Sequence, residues 1–170
     1  MRKLWRLVLV STLLLGSVGC DQVSKGVARS LLEPGQTHAF FGDTLRFVYA
    51  ENPGAFLGLG ASLPEPVRTV LFQGVVALLV CGLLWAAAFR SGVHLWMAAG
   101  LTLMAASGAG NLIDRLMHDG RVTDFLNLGI GGLRTGIFNV ADVVGVVGVT
   151  MILLARAPPT PSNSALERRG

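Results

Sequence analysis

Four long apolar runs dominate this sequence and restrict the chain to a membrane-embedded fold. They cover about residues 4–20, 67–89, 92–112 and 136–155. Each run approaches the roughly 20 residues that an α-helix needs to cross about 30 Å of hydrocarbon. Hydrophobic residues make up 52% of the chain and charged residues only 14%, which is too apolar for an ordinary soluble domain of this length. We therefore predict an all-α membrane protein with four transmembrane helices.

Basic residues flank the apolar runs unevenly and predict the orientation of the chain. Three of them lie within the first six positions, Arg90 lies in the short second connection, and Arg156 follows the last run. Because short cytoplasmic segments are enriched in Lys and Arg, both termini and Arg90 are expected on the cytoplasmic side of the membrane. Residues 21–66 and 113–135 then face the periplasm. No dense basic patch interleaved with aromatic residues is present, so nucleic acid is not expected as a partner.

The two long connections predict a small cap outside the membrane. Residues 21–32 are expected to form a short polar helix. Residues 38–49 alternate apolar and polar side chains loosely around Gly42 and Asp43, which predicts a β-hairpin. The second connection is rich in glycine near its end and is expected to be a mobile periplasmic loop that could act as a lid. The predicted architecture is thus a helical bundle with a periplasmic β-containing cap and a periplasmic loop.

The N-terminus also resembles a bacterial lipoprotein signal. Positive residues and an apolar stretch precede Ser-Val-Gly-Cys at residues 17–20, so Cys20 could be a lipid acceptor. A cleaved lipoprotein normally carries a polar exported domain, however, whereas three further apolar runs follow here. We therefore predict that the first helix is retained and that residues 1–157 form a single integral-membrane domain. The polar tail, residues 158–170, is expected to be disordered in the cytoplasm.

Polar side chains within the last two apolar runs mark a candidate site. Asp142 lies about six residues into the fourth run. An unpaired ionisable group at such a depth costs at least about 2.5–3.5 kcal/mol, so a functional role is the default hypothesis. Asn139 precedes Asp142 by three residues and shares its helix face. A similar cluster at the end of the third run contains Asn111, Asp114 and Arg115. The alternative is that Asp142 forms a structural ion pair with Arg115 or Arg134.

Asp124 offers a second carboxylate. Its apolar neighbours on both sides predict a loop that dips back against the membrane, where burial would raise a carboxyl pKa. If Asp124 and Asp142 lie a few ångströms apart, they share one proton, as in the water-activating pair of aspartic peptidases. On composition, Asp114 is an equally acceptable partner, and Asp124 could also be an ordinary loop residue. No metal-binding cluster is indicated, so no metal or other cofactor is predicted.

Five short blocks resemble those of the lipoprotein signal peptidase (signal peptidase II) family. They are Asp-Gln-Val-Ser-Lys at 21–25, Asn-Pro-Gly-Ala-Phe at 52–56, Gly-Ala-Gly-Asn-Leu-Ile-Asp-Arg at 108–115, Val-Thr-Asp-Phe at 122–125 and Phe-Asn-Val-Ala-Asp at 138–142. Each block alone is weak evidence, but five in the order of the family are specific. Thr123 and Val143 depart from the residues that the family commonly has at those positions.

The resemblance implies an activity and a role for each candidate residue. It implies an intramembrane aspartic endopeptidase that removes signal peptides from diacylglyceryl-modified prolipoproteins, cutting just before the lipidated cysteine. Catalysis would fall to Asp124 and Asp142 rather than to Asp114. The implied substrate-binding residues are Asn52, Gly54, Asn111, Arg115 and Asn139, and the implied supporting residues are Asp21, Lys25 and Asp114. We expect a monomer that contacts prolipoprotein and membrane lipid, with its active site near the periplasmic face.

Two other functions fit parts of the pattern. An intramembrane Asp with Asn neighbours would suit a small transporter or proton relay. Such a protein is expected to carry polar residues through several spans, whereas the second run and the inner half of the fourth are almost wholly apolar. A catalytically inactive relative that binds lipoproteins is disfavoured because both candidate aspartates are present.

Overall fold

Helices make up most of the structure, a computed structural model that describes residues 2–55 and 58–156. Their bounds are α1 (Arg2–Leu31), α2 (Glu65–Thr69), α3 (Val76–Phe89), α4 (Leu95–Met117) and α5 (Val140–Arg156). A π-helical segment, Val70–Val75, joins α2 to α3 without a break. Three helices are long and apolar enough to cross a membrane: α1, the continuous helix Glu65–Phe89, and α4; α5 is a shorter apolar helix. The predicted tail, 158–170, lies outside the described residues.

The helix bounds differ from two of the predicted apolar runs, whose extent within the membrane stays a prediction. The first helix does not end near residue 20, because α1 ends at Leu31 and is 30 residues long, or about 45 Å at 1.5 Å per residue. The polar helix predicted for residues 21–32 is therefore its continuation. The fourth helix does not begin at residue 136, because residues 136–139 are not helical and Phe138 forms a β-bridge with Leu126. The second predicted run, 67–89, starts two residues after the helix Glu65–Phe89 and ends at the same residue. The third, 92–112, starts three residues before α4 and ends five residues before α4 does.

A four-stranded antiparallel sheet covers one end of the bundle, hereafter the sheet end. The strands are β1 (Thr37–Phe40), β2 (Leu45–Asn52), β3 (Val122–Ile130) and β4 (Leu133–Arg134), in the order β1-β2-β3-β4. The hairpin of β1 and β2 confirms the predicted hairpin. The loop predicted for the second connection is wrong, because the middle of that connection forms β3, which pairs with β2 between Val122 and Leu128. Asp124 therefore lies in a strand, opposite Ala50.

Small residues let α4 pack closely against its neighbours. A Cβ atom added at Gly148 of α5 would lie 2.7 Å from the backbone N of Met104, and one added at Gly145 would lie 2.6 Å from Ser107 Oγ. On the other side of α4, a Cβ at Gly108 would lie 2.9 Å from a methyl group of Val80. Such contacts between small residues are typical of helices packed in a membrane. They bring the sheet-end termini of α4 and α5 side by side.

Arg6 closes the opposite end of the bundle. Its guanidinium donates hydrogen bonds to the carbonyl oxygens of Ala86 (3.0 Å), Ala87 (2.5 Å) and Arg90 (3.0 Å). The last carbonyls of a helix have no partner within that helix, so Arg6 of α1 caps α3 from outside. The start of α1 and the end of α3 are therefore fixed at the same end of the bundle, away from the sheet.

Candidate active site

Asp142 lies in the first turn of α5, which corrects its predicted position deep within a span. Its backbone N–H donates to Asn139 Oδ1 (3.1 Å), and its own Oδ2 accepts from the backbone N–H of Asn139 (3.1 Å). This reciprocal pair is a capping box built from Asn and Asp. The box explains why α5 begins at Val140, and it places Asp142 where the helix dipole favours a negative charge.

Asp124 is buried in the middle of the sheet-end core, with only 3% of its surface exposed. Its Oδ1 accepts from Asn139 Nδ2 (2.7 Å) and its Oδ2 from Asn52 Nδ2 (3.1 Å). Burial, with a contribution from the negative charge of Asp142, raises the pKa of Asp124 to about 6. The two asparagine hydrogen bonds and the charge of Lys25 oppose this rise, because they favour the ionised carboxylate.

Two asparagines connect the carboxylates to each other. Besides binding Asp124, Asn139 Nδ2 donates to Asn111 Oδ1 (3.1 Å), and Asn111 Nδ2 donates to Asp142 Oδ1 (3.2 Å). Asp124 and Asp142 both line one cavity of about 30 Å³, together with Asn52, Asn111 and Asn139. The cavity has room and polar partners for a water molecule. A water held between two carboxylates that cannot both easily ionise is suited to general acid–base chemistry.

Lys25 forms the centre of a buried ionic cluster behind this cavity. Its Nζ lies 2.8 Å from Asp21 Oδ2, 2.9 Å from Asn111 Oδ1 and 3.1 Å from Asp114 Oδ2. These three acceptors match the three donors of an ammonium group. Lys25 and Asp114 are completely buried, and Asp21 is 1% exposed. A buried charge is tolerated when it is paired and fully hydrogen-bonded, so the cluster rigidly joins α1 to α4.

The two aspartates of this cluster also bind the backbone that carries the candidate dyad. Asp21 Oδ1 accepts from the N–H of Ala141 in the first turn of α5 (2.8 Å). Asp114 Oδ2 accepts from the N–H of Thr123 (3.0 Å), the residue before Asp124. Asp114 does not line the cavity that contains Asp124 and Asp142. The supporting role that the resemblance implied for Asp114 stays a prediction.

The loop after β2 folds over the cavity at Gly54. A Cβ there would lie 2.7 Å from the carbonyl oxygen of Leu59, so only glycine fits. Arg115 Nη2 donates to the Gly54 carbonyl oxygen (2.6 Å), and the N–H of Gly54 donates to Asn52 Oδ1 (2.9 Å). Gly54 itself does not line the cavity, whereas its neighbour Ala55 does.

Arg115 is held by contacts other than a carboxylate. Its Nη1 donates to the carbonyl oxygen of Asn111 in its own helix (3.2 Å), and its guanidinium lies 5.5 Å from the centre of the Phe72 ring. Among the described residues it forms no salt bridge with Asp142. Arg134 binds Asn127 and Asp43 instead. The alternative of a structural ion pair between Asp142 and either arginine is therefore wrong.

An open apolar groove of about 450 Å³ begins at Asp142 and runs between α3 and α5. Ser107 and Gly108 of α4 form its floor, with Val146 and Val149 of α5 along one side. The small floor residues leave width for a bulky apolar ligand beside the cavity of Asp124 and Asp142.

Comparison with known proteins identifies the family. A family model described as signal peptidase (SPase) II matches residues 13–157. The chain belongs to the signal peptidase II family. The lipoprotein signal peptidase of Desulforapulum autotrophicum is 33% identical over 156 residues, covering 89% of this chain and 91% of the relative. That of Bifidobacterium longum (strain NCC 2705) is 36% identical over 140 residues, covering 79% of this chain and 70% of the relative.

The fold of this signal peptidase II is shared with solved structures. One bacterial membrane enzyme matches with a TM-score of 0.77 and 25% identity, over 89% of this chain and 94% of its own. A second matches with a TM-score of 0.75 and 26% identity, over 86% and 85%. The protein is therefore a multi-pass membrane peptidase that cleaves the signal peptides of lipoproteins, which decides against the transporter.

Some residues of the signal peptidase II site could not be found from the sequence pattern. Ile137 lines the cavity and Phe72 packs on Arg115, but apolar residues within apolar runs carry no separate signal. Ala55 and Val122 also line the cavity; they lie in two of the five blocks, but no role was predicted for them. No group of His, Cys, Asp and Glu within residues 2–55 and 58–156 could hold a metal ion.

Proposed function

We propose that Asp124 and Asp142 form the catalytic dyad of this signal peptidase II. We further propose that the enzyme cuts diacylglyceryl-modified prolipoproteins just before the lipidated cysteine. The observation that carries the proposal is that both carboxylates line one water-sized cavity and are joined through Asn139. Because burial and like charge disfavour two ionised carboxylates there, the pair retains one shared proton at a pH where ordinary carboxyl groups are already ionised.

The shared proton allows the dyad to act as base and acid in turn. The ionised carboxylate takes a proton from the bound water as the water oxygen attacks the scissile carbonyl carbon. The protonated carboxyl donates a hydrogen bond to the carbonyl oxygen. The amide nitrogen is then protonated, the C–N bond breaks, and the products are a carboxylate on the signal peptide and an amine on the cysteine. Asn111 and Asn139 keep the two carboxylates in place.

The apolar groove beside Asp142 suits the hydrophobic part of a signal peptide. A helix lying against Ser107 and Gly108 would present its end to the cavity, while the acyl chains on the cysteine stay in the bilayer. Asn52, Gly54 and Arg115 border the path of the substrate where it crosses the site. No step of this scheme needs a cofactor.

We propose that α1, Glu65–Phe89, α4 and α5 are the four transmembrane helices of one domain, residues 1–157. Because Arg6 contacts the end of α3, the N-terminal basic residues and Arg90 lie at the same end of the bundle, opposite the sheet. Because basic residues favour the cytoplasmic side, both termini and the tail 158–170 would be cytoplasmic, and the sheet and active site periplasmic, in a bacterial inner membrane. We expect a monomer surrounded by lipid.

A cleavage assay with two variants tests the dyad. Purified protein is mixed with a diacylglyceryl-modified prolipoprotein, and the loss of the signal peptide is followed as a mobility shift. Asp124→Asn and Asp142→Asn should each abolish cleavage and still bind the substrate, because asparagine keeps the shape but cannot transfer the proton. Asp114→Asn is the control. If Asp124→Asn keeps near-normal turnover while folded Asp114→Asn has none, the dyad assignment is wrong.

A further inference from the structure

A polar cleft of about 210 Å³ adjoins the catalytic cavity at Arg115. It lies at the sheet end, between the start of the helix Glu65–Phe89 and the turn after α4. Its polar lining residues are Glu65, Arg68, Thr69, Gln73, Arg115 and Asp119. The cleft therefore differs in chemistry from the apolar groove on the other side of the site, although both spaces share Arg115 with the cavity of the dyad.

The charged groups of the cleft are available to a ligand. Among the described residues, the side chains of Glu65, Gln73 and Asp119 make no hydrogen bond or ion pair with another residue. Arg68 uses only Nη1, which donates to the carbonyl oxygen of Ala61 (3.1 Å). In the wall between cleft and cavity, Arg115 is 7% exposed and its buried Nε has no hydrogen-bond partner. Buried donors normally have partners, so Arg115 keeps one donor for a further contact.

The three spaces that meet at Arg115 match the three parts of a prolipoprotein. The apolar groove suits the hydrophobic signal segment, and the cavity of the dyad receives the scissile bond. The chain beyond the cysteine is polar and leaves towards the water phase. We propose that the polar cleft binds the residues that follow the lipidated cysteine, and that its charges determine which of these residues are preferred. This inference rests on the function proposed above.

The charges of the cleft predict the direction of the preference. Glu65 and Asp119 would pair with a basic side chain after the cysteine, and Arg68 would pair with an acidic one. Each exposed ion pair contributes little. Glu65→Lys, however, removes an attraction for a basic substrate and adds a repulsion, so the two effects add. We expect Glu65→Lys to change the preference between acidic and basic substrates by about five- to tenfold in kcat/KM.

Two lipid-modified prolipoproteins provide the test, identical except that Asp-Asp or Lys-Lys follows the cysteine. The kcat/KM ratio of the two is measured with the full-length enzyme. Glu65→Lys should raise the Asp-Asp to Lys-Lys ratio, Glu65→Gln should raise it less, and Arg68→Gln should lower it. High salt should shrink each change, because exposed charges are screened. Glu33→Lys is the matched control, since it makes the same charge change at an exposed residue outside the cleft.

The outcomes separate this inference from the proposed function. An unchanged ratio in both Glu65→Lys and Arg68→Gln, with normal folding, would overturn the role of the cleft. An equal change in the Glu33→Lys control would also overturn it, because the effect would then come from net charge alone. Failure of the native enzyme to cleave either lipid-modified substrate would instead overturn the proposed function.

Discussion

Asn139 is the residue at which the fold and the chemistry of this enzyme meet. Its Oδ1 accepts the N–H of Asp142 and begins α5, while its Nδ2 binds Asp124 and Asn111. One amide therefore fixes the relative position of the two carboxylates proposed to be catalytic. Asp124, which binds Asn139, is buried away from bulk water, so its carboxyl group is harder to ionise.

The raised pKa of Asp124 predicts how activity depends on pH. Above about pH 6 both carboxylates ionise and the dyad loses its acid, so kcat/KM should fall as pH rises through this value. At low pH both carboxyls are protonated, the dyad has no base, and activity should fall again. A pH series of kcat/KM with one substrate measures both limbs, whose apparent pKa values belong to the pair. A flat profile between pH 5 and 8 would contradict the shared proton.

Arg115 and Arg121 provide a matched pair at the residue scale. Arg115 is buried and holds the Gly54 carbonyl, whereas Arg121 is exposed and forms a surface ion pair with Glu51 at 2.8 Å. Arg115→Ala should lower kcat/KM at least about tenfold, because the buried carbonyl loses a charged donor worth about 1.5–3 kcal/mol. Arg121→Ala should change it by less than about twofold, since such pairs contribute little. Equal cleavage rates in the two variants would remove Arg115 from the site.

At the scale of elements, the ionic cluster that joins α1 to α4 depends on Gly110, a residue of α4 that has no side chain. A Cβ at Gly110 would lie 2.6 Å from Asp21 Oδ2, the carboxylate that binds both Lys25 and the N–H of Ala141. The cluster therefore positions α5 through a contact between backbone and carboxylate. Any group inserted at Gly110 pushes that carboxylate away from its partners.

Gly110→Ala should therefore lower both the thermal stability and the activity of the enzyme. Overpacking of this kind costs about 1–3 kcal/mol. Gly26→Ala is the control, because Gly26 also lies within a helix but has nothing within 4 Å of an added Cβ; alanine there should be neutral or slightly stabilising. Thermal melts in detergent and the cleavage assay compare the two. A Gly110→Ala variant as stable as Gly26→Ala would show that the cluster can shift without loss.

Particular elements show what could be predicted from sequence. The length of the apolar runs predicts helices that cross a membrane. Asp142 can be singled out because a carboxylate within such a run costs free energy. The pairing of β2 with β3 could not be predicted, since it joins segments far apart in sequence that meet only after the bundle forms. The start of α5 cannot be found from the apolar run, because Ile137 and Phe138 continue that run although they precede the capping box and are not helical.

At the scale of the whole molecule, the two ends of the bundle have different chemistry. The sheet end contains the buried carboxylates and polar clefts. At the opposite end, Arg6 caps α3 beside Arg90. The basic residues at the end opposite the sheet are the physical basis of the orientation proposed for the chain.

Cysteine labelling tests that orientation. After Cys20 and Cys81 are replaced, a single cysteine is introduced at Gln36, in the sheet-end cap, or at Ser91, between α3 and α4; both positions are exposed. A membrane-impermeant maleimide added to intact spheroplasts should label the Gln36→Cys variant only. Permeabilised cells, in which both should react, are the control. Labelling of Ser91→Cys from outside would reverse the topology.

The capping box makes Asp142 a poor position for a drastic substitution and a good one for a subtle substitution. Asp142→Ala would remove the partner of the Asn139 N–H, so the first turn of α5 could fray and imitate a loss of chemistry. Asp142→Asn keeps an oxygen for that N–H while removing the carboxyl group that is proposed to transfer the proton. The asparagine variant is therefore the one suited to capturing an uncut lipoprotein precursor on the enzyme, as an inactive trap from which the bound substrate can be recovered.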